Sequence, residues 1–253
     1  MAKRLWLSGL ALFLLAAFVQ APAAWLGSWI DQATSQRWRL GGVEGTVWRG
    51  RATVHGLDRP THRWRTGVPL HWRAIWSGLP RGQFAVQIDL DEGHGALLTA
   101  GLEGWAIARL DALLPVSLVA VLLPVKLGDY GWSGTVRAQG TGFGCDWARG
   151  ACTGRIDLLW EQASVALIPG LVLGDYRVRI TGEGEALRFD LATVRGPLQI
   201  AGAGELSAAA MRFNGEAHAE GDSAARLDVV LRALGRPAAA PGRYLIEYRE
   251  MRK

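Results

Sequence analysis

Most of the chain alternates apolar and polar residues, the pattern of β-strands that have one face on a core and one in water. The clearest case is QFAVQIDL, where every second residue from Phe84 to Leu90 is apolar. The same alternation predicts strands at Trp132/Val136, Ile156/Leu158/Trp160, Tyr176/Val178/Ile180, Leu187/Phe189/Leu191, Leu198/Ile200, Met211/Phe213 and Tyr244/Ile246/Tyr248. The opposite faces carry Arg137, Arg155, Arg177, Arg179, Arg188 and Arg212. This pattern predicts a mainly β protein with a few helices, whose antiparallel strands form a sandwich or an open curved sheet.

Three segments depart from this period of two. From Trp105 to Leu114 the apolar residues match helical spacing, and Pro115 would end that helix. The run from Val116 to Val125 is apolar but too short to span a bilayer, which indicates a buried connection or an exposed apolar lip. A second helix is predicted from about Ser223 to Leu234, capped by Asp222 or Ser223 and ended by Gly235 and Pro237.

The N-terminus carries no charged residue from Leu5 to Ile30. Because about twenty apolar residues can cross a bilayer, we predict a single transmembrane anchor at residues 1–30. Lys3 and Arg4 favour a cytoplasmic N-terminus, which would place residues 31–253 outside the cytoplasm as a β-rich domain. That domain has possible sub-halves at 37–114 and 127–253, since Leu-Gly-Asp-Tyr at 127–130 recurs at 173–176. The alternative is a signal peptide cleaved near Ala21-Pro22-Ala23.

The two cysteines, Cys145 and Cys152, lie close together in a glycine-rich loop. In an oxidising compartment they would form a disulfide. A zinc site is the first alternative, although the spacing is unsuitable and no histidine is near in sequence, and a pair of free thiols is the second.

Tryptophan and arginine interleave between Gln36 and Arg81. Alternate residues of a strand point to opposite faces, so the simplest interpretation buries the tryptophans and leaves the arginines in water. The functional interpretations are a basic-aromatic surface lying on anionic lipid headgroups, or an interface with a protein partner. The candidate binding residues are Trp48, Arg49, Trp64, Trp72 and Trp76.

Composition and motifs narrow the function classes. The 28 Lys and Arg against 23 Asp and Glu give a net charge of +5, but no basic nucleic-acid-binding module accompanies it, so we expect no nucleic-acid partner. The sequence has no G-x-S-x-G elbow, P-loop or H-E-x-x-H motif, and we predict no catalytic residues, cofactor or metal. The five histidines, His55, His62, His71, His94 and His218, are isolated, and Asp129 and Asp175 fit turns whose backbone amides they would cap.

Residues Gly41 to Ala52 read GGVEGTVWRGRA and fit the pattern G-x-V-x-G-T-V/L-W-x-G-x-A. This segment resembles the element that opens the periplasmic domain in the type II secretion system protein N family, also called general secretion pathway protein N. Val68 to Arg81, the repeated L-G-D-Y element and the ending A-L-G-R-P followed by G-R-Y are also similar, so the resemblance extends to about Tyr248.

The resemblance implies a non-enzymatic component of a type II secretion system, held in the bacterial inner membrane by one helix with its C-terminal domain in the periplasm. Its partners would be inner-membrane platform proteins or the outer-membrane secretin. The alternative is a periplasmic lipid-handling protein with an apolar β-groove that holds acyl chains.

Overall fold

The computed structural model describes residues 2–58, 63–64, 67–90, 93–120 and 130–251. The helices in this part of the chain are α1 (Ala2–Val19), α2 (Ala24–Ala33), α3 (Val116–Val119) and α4 (Ala224–Leu234), with short 3-10 turns at Leu79–Arg81 and Gly221–Ser223. The strands are β1 (Trp38–Gly45), β2 (Arg49–Asp58), β3 (Arg63–Trp64), β4 (Val68–Ile75), β5 (Phe84–Leu90), β6 (Gly95–Ala100), β7 (Gly104–Pro115), β8 (Trp132–Asp146), β9 (Cys152–Val165), β10 (Val172–Gly184), β11 (Ala186–Arg195), β12 (Leu198–Leu206), β13 (Ala210–Ala219), β14 (Arg236–Pro237) and β15 (Arg243–Met251).

These strands form one open antiparallel sheet in the order β1-β2-β4-β5 and onward to β13-β15-β14, with β3 paired to β2. Because strands that follow each other in sequence are neighbours, their turns alternate between two ends of the sheet. We call the end with the turns at 46–48, 76–83, 101–103 and 147–151 the proximal end, and the end with α3 and α4 the distal end. The α3 helix packs against both β2 and β8 although four strands lie between them, so the sheet is curved. The prediction of a mainly antiparallel β protein is thus confirmed, and of the two predicted arrangements, a sandwich or an open curved sheet, the structure has the open curved sheet.

The strand register gives the sheet one apolar and one polar face. Directly paired residues point to the same face, so a row of partners can be followed from strand to strand. On one face this row reads Gly50, Trp72, Ile88, Ala96, Leu110, Gly140, Ile156, Ile180, Phe189, Gly204, Phe213 and Tyr248. The next row, on the other face, reads Arg51, His71, Asp89, Gly95, Asp111, Gln139, Asp157, Arg179, Asp190, Ala203, Asn214 and Glu247. The predicted strands are confirmed, and their arginines lie opposite the apolar row.

The predicted helix at Trp105 to Leu114 is wrong, because these residues form most of β7. In β6, Leu98 and Ala96 are two residues apart, but their partners in β7, Ile107 and Leu110, are three apart. This bulge inserts one extra residue and brings Ile107 and Leu110 to the same face. A helix-like spacing of three therefore arose inside a strand.

Two buried clusters lie toward opposite edges of the sheet. The larger places Leu227, Val230 and Leu231 of α4 against the apolar face of the last strands. The smaller joins Ala23, Ala52 and Trp72 near the first strands. Between them, apolar side chains such as Ile156, Val178 and Ile180 are only half-buried. The middle of the apolar face is therefore partly open.

The helix that was predicted near the C-terminus is confirmed as α4, but Ser223 makes no side-chain capping hydrogen bond. Asp129, His62, part of the turn after Leu90 and residues 121–125 of the apolar run lie outside the described residues. At the N-terminus the apolar stretch is divided into α1 and α2. Within the described ranges, no helix combines the length and the apolar character needed to cross a membrane.

Candidate functional site

The link between α1 and α2 is fastened to the first turn of the sheet. Ala23 donates its backbone N–H to the carbonyl of Gly45 at 3.1 Å, and Val47 donates to the carbonyl of Ala21 at 2.9 Å. Pro22 forms the bridge opposite Thr46, and the side chains of Ala21 and Ala23 are buried. Small residues at this link let the chain lie directly on the turn.

The GGVEGTVWRGRA element comprises this turn and parts of its two flanking strands, β1 and β2. Gly45 has φ +95°, which favours glycine, and a side chain there would collide with the Arg49 carbonyl. Gly50 lies so close to the ring of Trp72 that a Cβ atom would clash with it. Ala52 is buried in the smaller cluster. The element's small residues therefore shape the site at which the helices meet the sheet.

Four aromatic rings, which we call the aromatic junction, connect α1 to the proximal end: Phe18, Trp48, Trp76 and Phe84. The ring centroids are 4.5 Å apart for Phe18 and Trp48, 4.8 Å for Trp48 and Trp76, and 5.3 Å for Trp76 and Phe84. Trp48 Nε1 also donates to the carbonyl of Phe18 at 2.7 Å. Contacts of this kind stabilise a fixed arrangement of the rings. Sequence alternation did not single out Phe18, because its role depends on where α1 meets the sheet.

The five predicted binding residues fall in different places. Trp48 and Trp76 belong to the aromatic junction, and Arg49 is exposed beside it, opposite Arg73 on β4. Trp72 is 7% exposed and donates through Nε1 to the carbonyls of Thr46 and Val47, both at 3.2 Å.

Trp64 lies at the other end of β2, where the guanidinium of Arg39 sits 5.7 Å from its ring centroid. The tryptophans and Arg49 thus do not form one continuous surface, and their binding role stays a prediction.

Cys145 and Cys152 form the predicted disulfide, between paired residues at the ends of β8 and β9. It closes the turn 147–151 at the proximal end. The carboxylate of Asp146 accepts the N–H groups of Arg149 and Ala148, and these hydrogen bonds hold the pKa of Asp146 below its ordinary value. The turn is therefore tied by a covalent bond and by two hydrogen bonds.

Asp175 of the second L-G-D-Y element has a structural role. It is the buried charged side chain of β10 and accepts the N–H of Gln162 at 2.8 Å, where Gln162 has φ +51°. Its second oxygen accepts from Arg195 Nε. The hydrogen bond from Gln162, followed by that from Arg195, lowers the pKa of Asp175. The prediction that Asp175 sits at a turn and caps a local amide is therefore wrong, because Asp175 lies within β10 and the amide that it accepts from belongs to Gln162 of the neighbouring strand β9.

One edge of the sheet has free backbone groups. Strand β14 pairs with β15 only at Tyr244 and Leu245. Among the described residues, no strand covers the outer side of β15 from Ile246 to Met251. An uncovered edge of this kind can accept another strand.

Groups that could hold a metal are not found in the described part of the chain, where no three His, Cys, Asp or Glu side chains come together suitably. The described histidines lie in separate strands and turns. The site is therefore made of packed aromatic rings, an apolar face and a strand edge.

These features define a class of protein: a single-layer antiparallel sheet whose first turn is fastened to an apolar helix, with surfaces suited to binding. The chain matches the family described as Type II secretion system (T2SS), protein N over residues 36–247, and it belongs to that family. No curated protein and no solved structure gave a match.

The family is an accessory component of type II secretion and is not a known enzyme family. Membership makes this chain a protein-transport component of the cell envelope that interacts with other components of the system.

Proposed function

We propose that the protein is a non-enzymatic, inner-membrane-anchored component of the type II secretion system, with its sheet in the periplasm. The α1 segment would hold the chain in the membrane as its anchor, and the link at Ala21 to Ala23, α2 and the sheet would form the periplasmic domain. The sheet would then act by contacting inner-membrane platform proteins or the outer-membrane secretin.

The fastened joint between α1 and the sheet carries this proposal. A flexible linker would let the sheet turn freely about its anchor. Here the hydrogen bonds of Ala23 and Val47 and the ring contact of Phe18 with Trp48 fix the sheet relative to α1. A sheet held at one orientation can present a defined edge to neighbouring components. The residues matched by the family include this turn.

The edge of β15 is the proposed contact, because an added strand gains main-chain hydrogen bonds. On the β14 side of β15, the carbonyl of Arg243 accepts the N–H of Ala238, and the N–H of Arg243 donates to the carbonyl of Ala240. Since this direction alternates along an antiparallel strand, the N–H of Arg249 also points outward.

Arg249→Pro therefore tests this contact. Proline removes one outward N–H and is tolerated at strand edges, so the sheet should stay folded while strand addition fails. Arg249→Ala is the matched control, since it removes the side chain and keeps the amide. We expect R249P to lose crosslinking to other secretion components and to reduce export, and R249A to keep both. Normal crosslinking and export in folded R249P would refute the edge contact.

A second candidate function, lipid handling, is favoured by the apolar row. Its central members Leu110, Ile156 and Ile180 are half-buried, and neither buried cluster includes them. A phospholipid acyl chain could cover this stretch and remove it from water. Native mass spectrometry of the full chain, purified in mild detergent, tests the idea. Lipid handling would be supported if the wild type carried stoichiometric phospholipid, Ile156→Asp lost it, and Asp157→Ala, which changes the opposite face, kept it. A wild-type protein free of lipid would exclude this function.

A further inference from the structure

Three adjacent turns at the proximal end expose large apolar side chains. Leu79 is 51% exposed, Leu102 is 89% exposed and Trp147 is 59% exposed. They lie on the turns β4–β5, β6–β7 and β8–β9, which are neighbours in the sheet order. We call these three side chains and the turns that carry them the apolar rim. Contiguous apolar side chains on a surface mark a contact with a partner or a membrane.

The turns of the rim are built to hold these side chains outward. Trp147 donates its N–H to the carbonyl of Glu103 and its Nε1 to the carbonyl of Gly101, both at 2.9 Å. These bonds join the second and third turns. Leu79 begins the 3-10 turn Leu79–Arg81, and the next residue, Gly82, lies beside the Leu102 side chain. The Cys145–Cys152 disulfide closes the base of the third turn. The exposure therefore belongs to three connected and ordered turns.

The position of the rim, at the same end of the sheet as the joint to α1, favours a lipid surface as its partner. The rim shares the proximal end with the joint to α1, whose side chains Trp6, Leu12 and Phe13 are also exposed. Arg81 and Arg149 are exposed on the same turns as Leu79 and Trp147. A membrane-contacting surface typically carries Trp at the headgroup level, apolar side chains that reach deeper, and arginines near the anionic lipids. The acidic residues of the rim are Glu103, which is exposed, and Asp146, whose carboxylate accepts two backbone amides.

We propose that the apolar rim inserts into the headgroup region of a bilayer that contains anionic phospholipid. Leu79, Leu102 and Trp147 enter the interface, and Arg81 and Arg149 contact lipid phosphates. The sheet then stands on the membrane at two points, α1 and the rim, with the distal end facing away. This inference rests on the proposed function in one respect, the placement of α1 in the same membrane.

Fluorescence quenching in vesicles tests the proposal with the full chain. Three variants each carry one added cysteine, Leu102→Cys in the rim, Phe13→Cys in α1 or Leu167→Cys at the distal end. The added cysteine is labelled with an environment-sensitive fluorophore. Leu167 is a matched control, since it is a 47% exposed apolar residue in a distal turn. The native cysteines are bonded to each other and do not react. The vesicles contain phosphatidylethanolamine and phosphatidylglycerol, with or without lipid spin-labelled at the headgroup or along the acyl chain.

We expect the probe at position 102 to shift to the blue and to be quenched by headgroup spin labels, while the probe at 167 is unaffected. Quenching at 13 without quenching at 102 would refute the rim and leave the anchor in place, as expected if a protein covers the rim. Equal quenching at 102 and 167 would also refute it, because the sheet would then lie on the membrane without this orientation. Quenching at 102 without quenching at 13 would support the rim and refute the anchor, and no quenching at either would refute both.

Discussion

The burial of Trp72 leads to a prediction about which tryptophans can be used to test binding. Its ring is 7% exposed, packs against Gly50 and lies in the smaller buried cluster with Ala23 and Ala52. Its Nε1 also donates to two backbone carbonyls of the first turn, those of Thr46 and Val47. Trp72→Ala would therefore open a cavity where the helices meet the sheet.

The expected cost of this cavity is large. Replacing a buried tryptophan by alanine costs about 3–5 kcal/mol, against a total stability of about 5–15 kcal/mol for a folded domain. Trp76 is 41% exposed and makes two ring contacts, each worth about 0.5–1.5 kcal/mol. Trp76→Ala should thus cost about 1–3 kcal/mol, distinctly less than Trp72→Ala.

Urea unfolding of the full chain in detergent micelles, followed by near-UV circular dichroism, measures the difference. With a urea dependence of about 2–3 kcal/mol per M, W72A should unfold at a midpoint about 1–2.5 M below wild type. Trp64→Ala, at the far end of β2, is the second control and should lie close to wild type. If W72A unfolded at the same urea concentration as W76A, the core assignment of Trp72 would be refuted. If Trp72 is a core residue, an export defect of W72A would reflect loss of folded protein. Substitutions of Trp76 and Trp64 are then the better tests of a binding surface.

Two further predictions concern buried backbone contacts. Asp175→Ala leaves the N–H of Gln162 without its partner and should cost about 1–3 kcal/mol at pH 7, whereas Asp175→Asn keeps an acceptor and should cost less. Because the folded-state pKa of Asp175 is lowered, its carboxylate stabilises the fold at neutral pH, and this contribution is lost as the pH falls below about 4. The difference in unfolding free energy between wild type and D175A should therefore become smaller in acid. A difference that does not change with pH would contradict this. Gly50→Ala should lower the free energy of unfolding by about 1–3 kcal/mol, because the added Cβ meets the Trp72 ring. Gly101→Ala is the control, since its Cβ would make only ordinary contacts, and its stability should stay close to wild type. Equal urea midpoints for the two variants would disprove the clash.

The strands that the sequence predicted best are those with strict alternation. QFAVQIDL became β5 without a shift, and the helix predicted from about Ser223 to Leu234 is α4. The prediction failed at β7, since a bulge changes the spacing of its apolar residues without changing the strand. Alternation also does not locate the first turn, where the chain reverses between β1, which ends at Gly45, and β2, which begins at Arg49. Bulges and tight turns depend on the partner strand, which one-dimensional periodicity does not contain.

The candidate site was predictable only in its parts. The motif from Gly41 to Ala52 indicated the family, and the spacing of Cys145 and Cys152 indicated a disulfide. The pairing of Ala21 and Ala23 with the first turn, and the stacking of Phe18 on Trp48, join residues that are more than twenty positions apart. No local signal in the sequence marks such contacts.

The sequence by itself determined that this chain forms a two-faced antiparallel sheet, because side chains alternate between faces whatever the order of the strands. Only the tertiary structure decided that the sheet stays open as a single curved layer, that one tryptophan lies in a core while its neighbours along the chain lie on the surface, and that three apolar turns meet at the end that carries α1. The physical reason is that periodicity records the side to which a residue points, while the register and curvature of the sheet decide what, if anything, lies on that side.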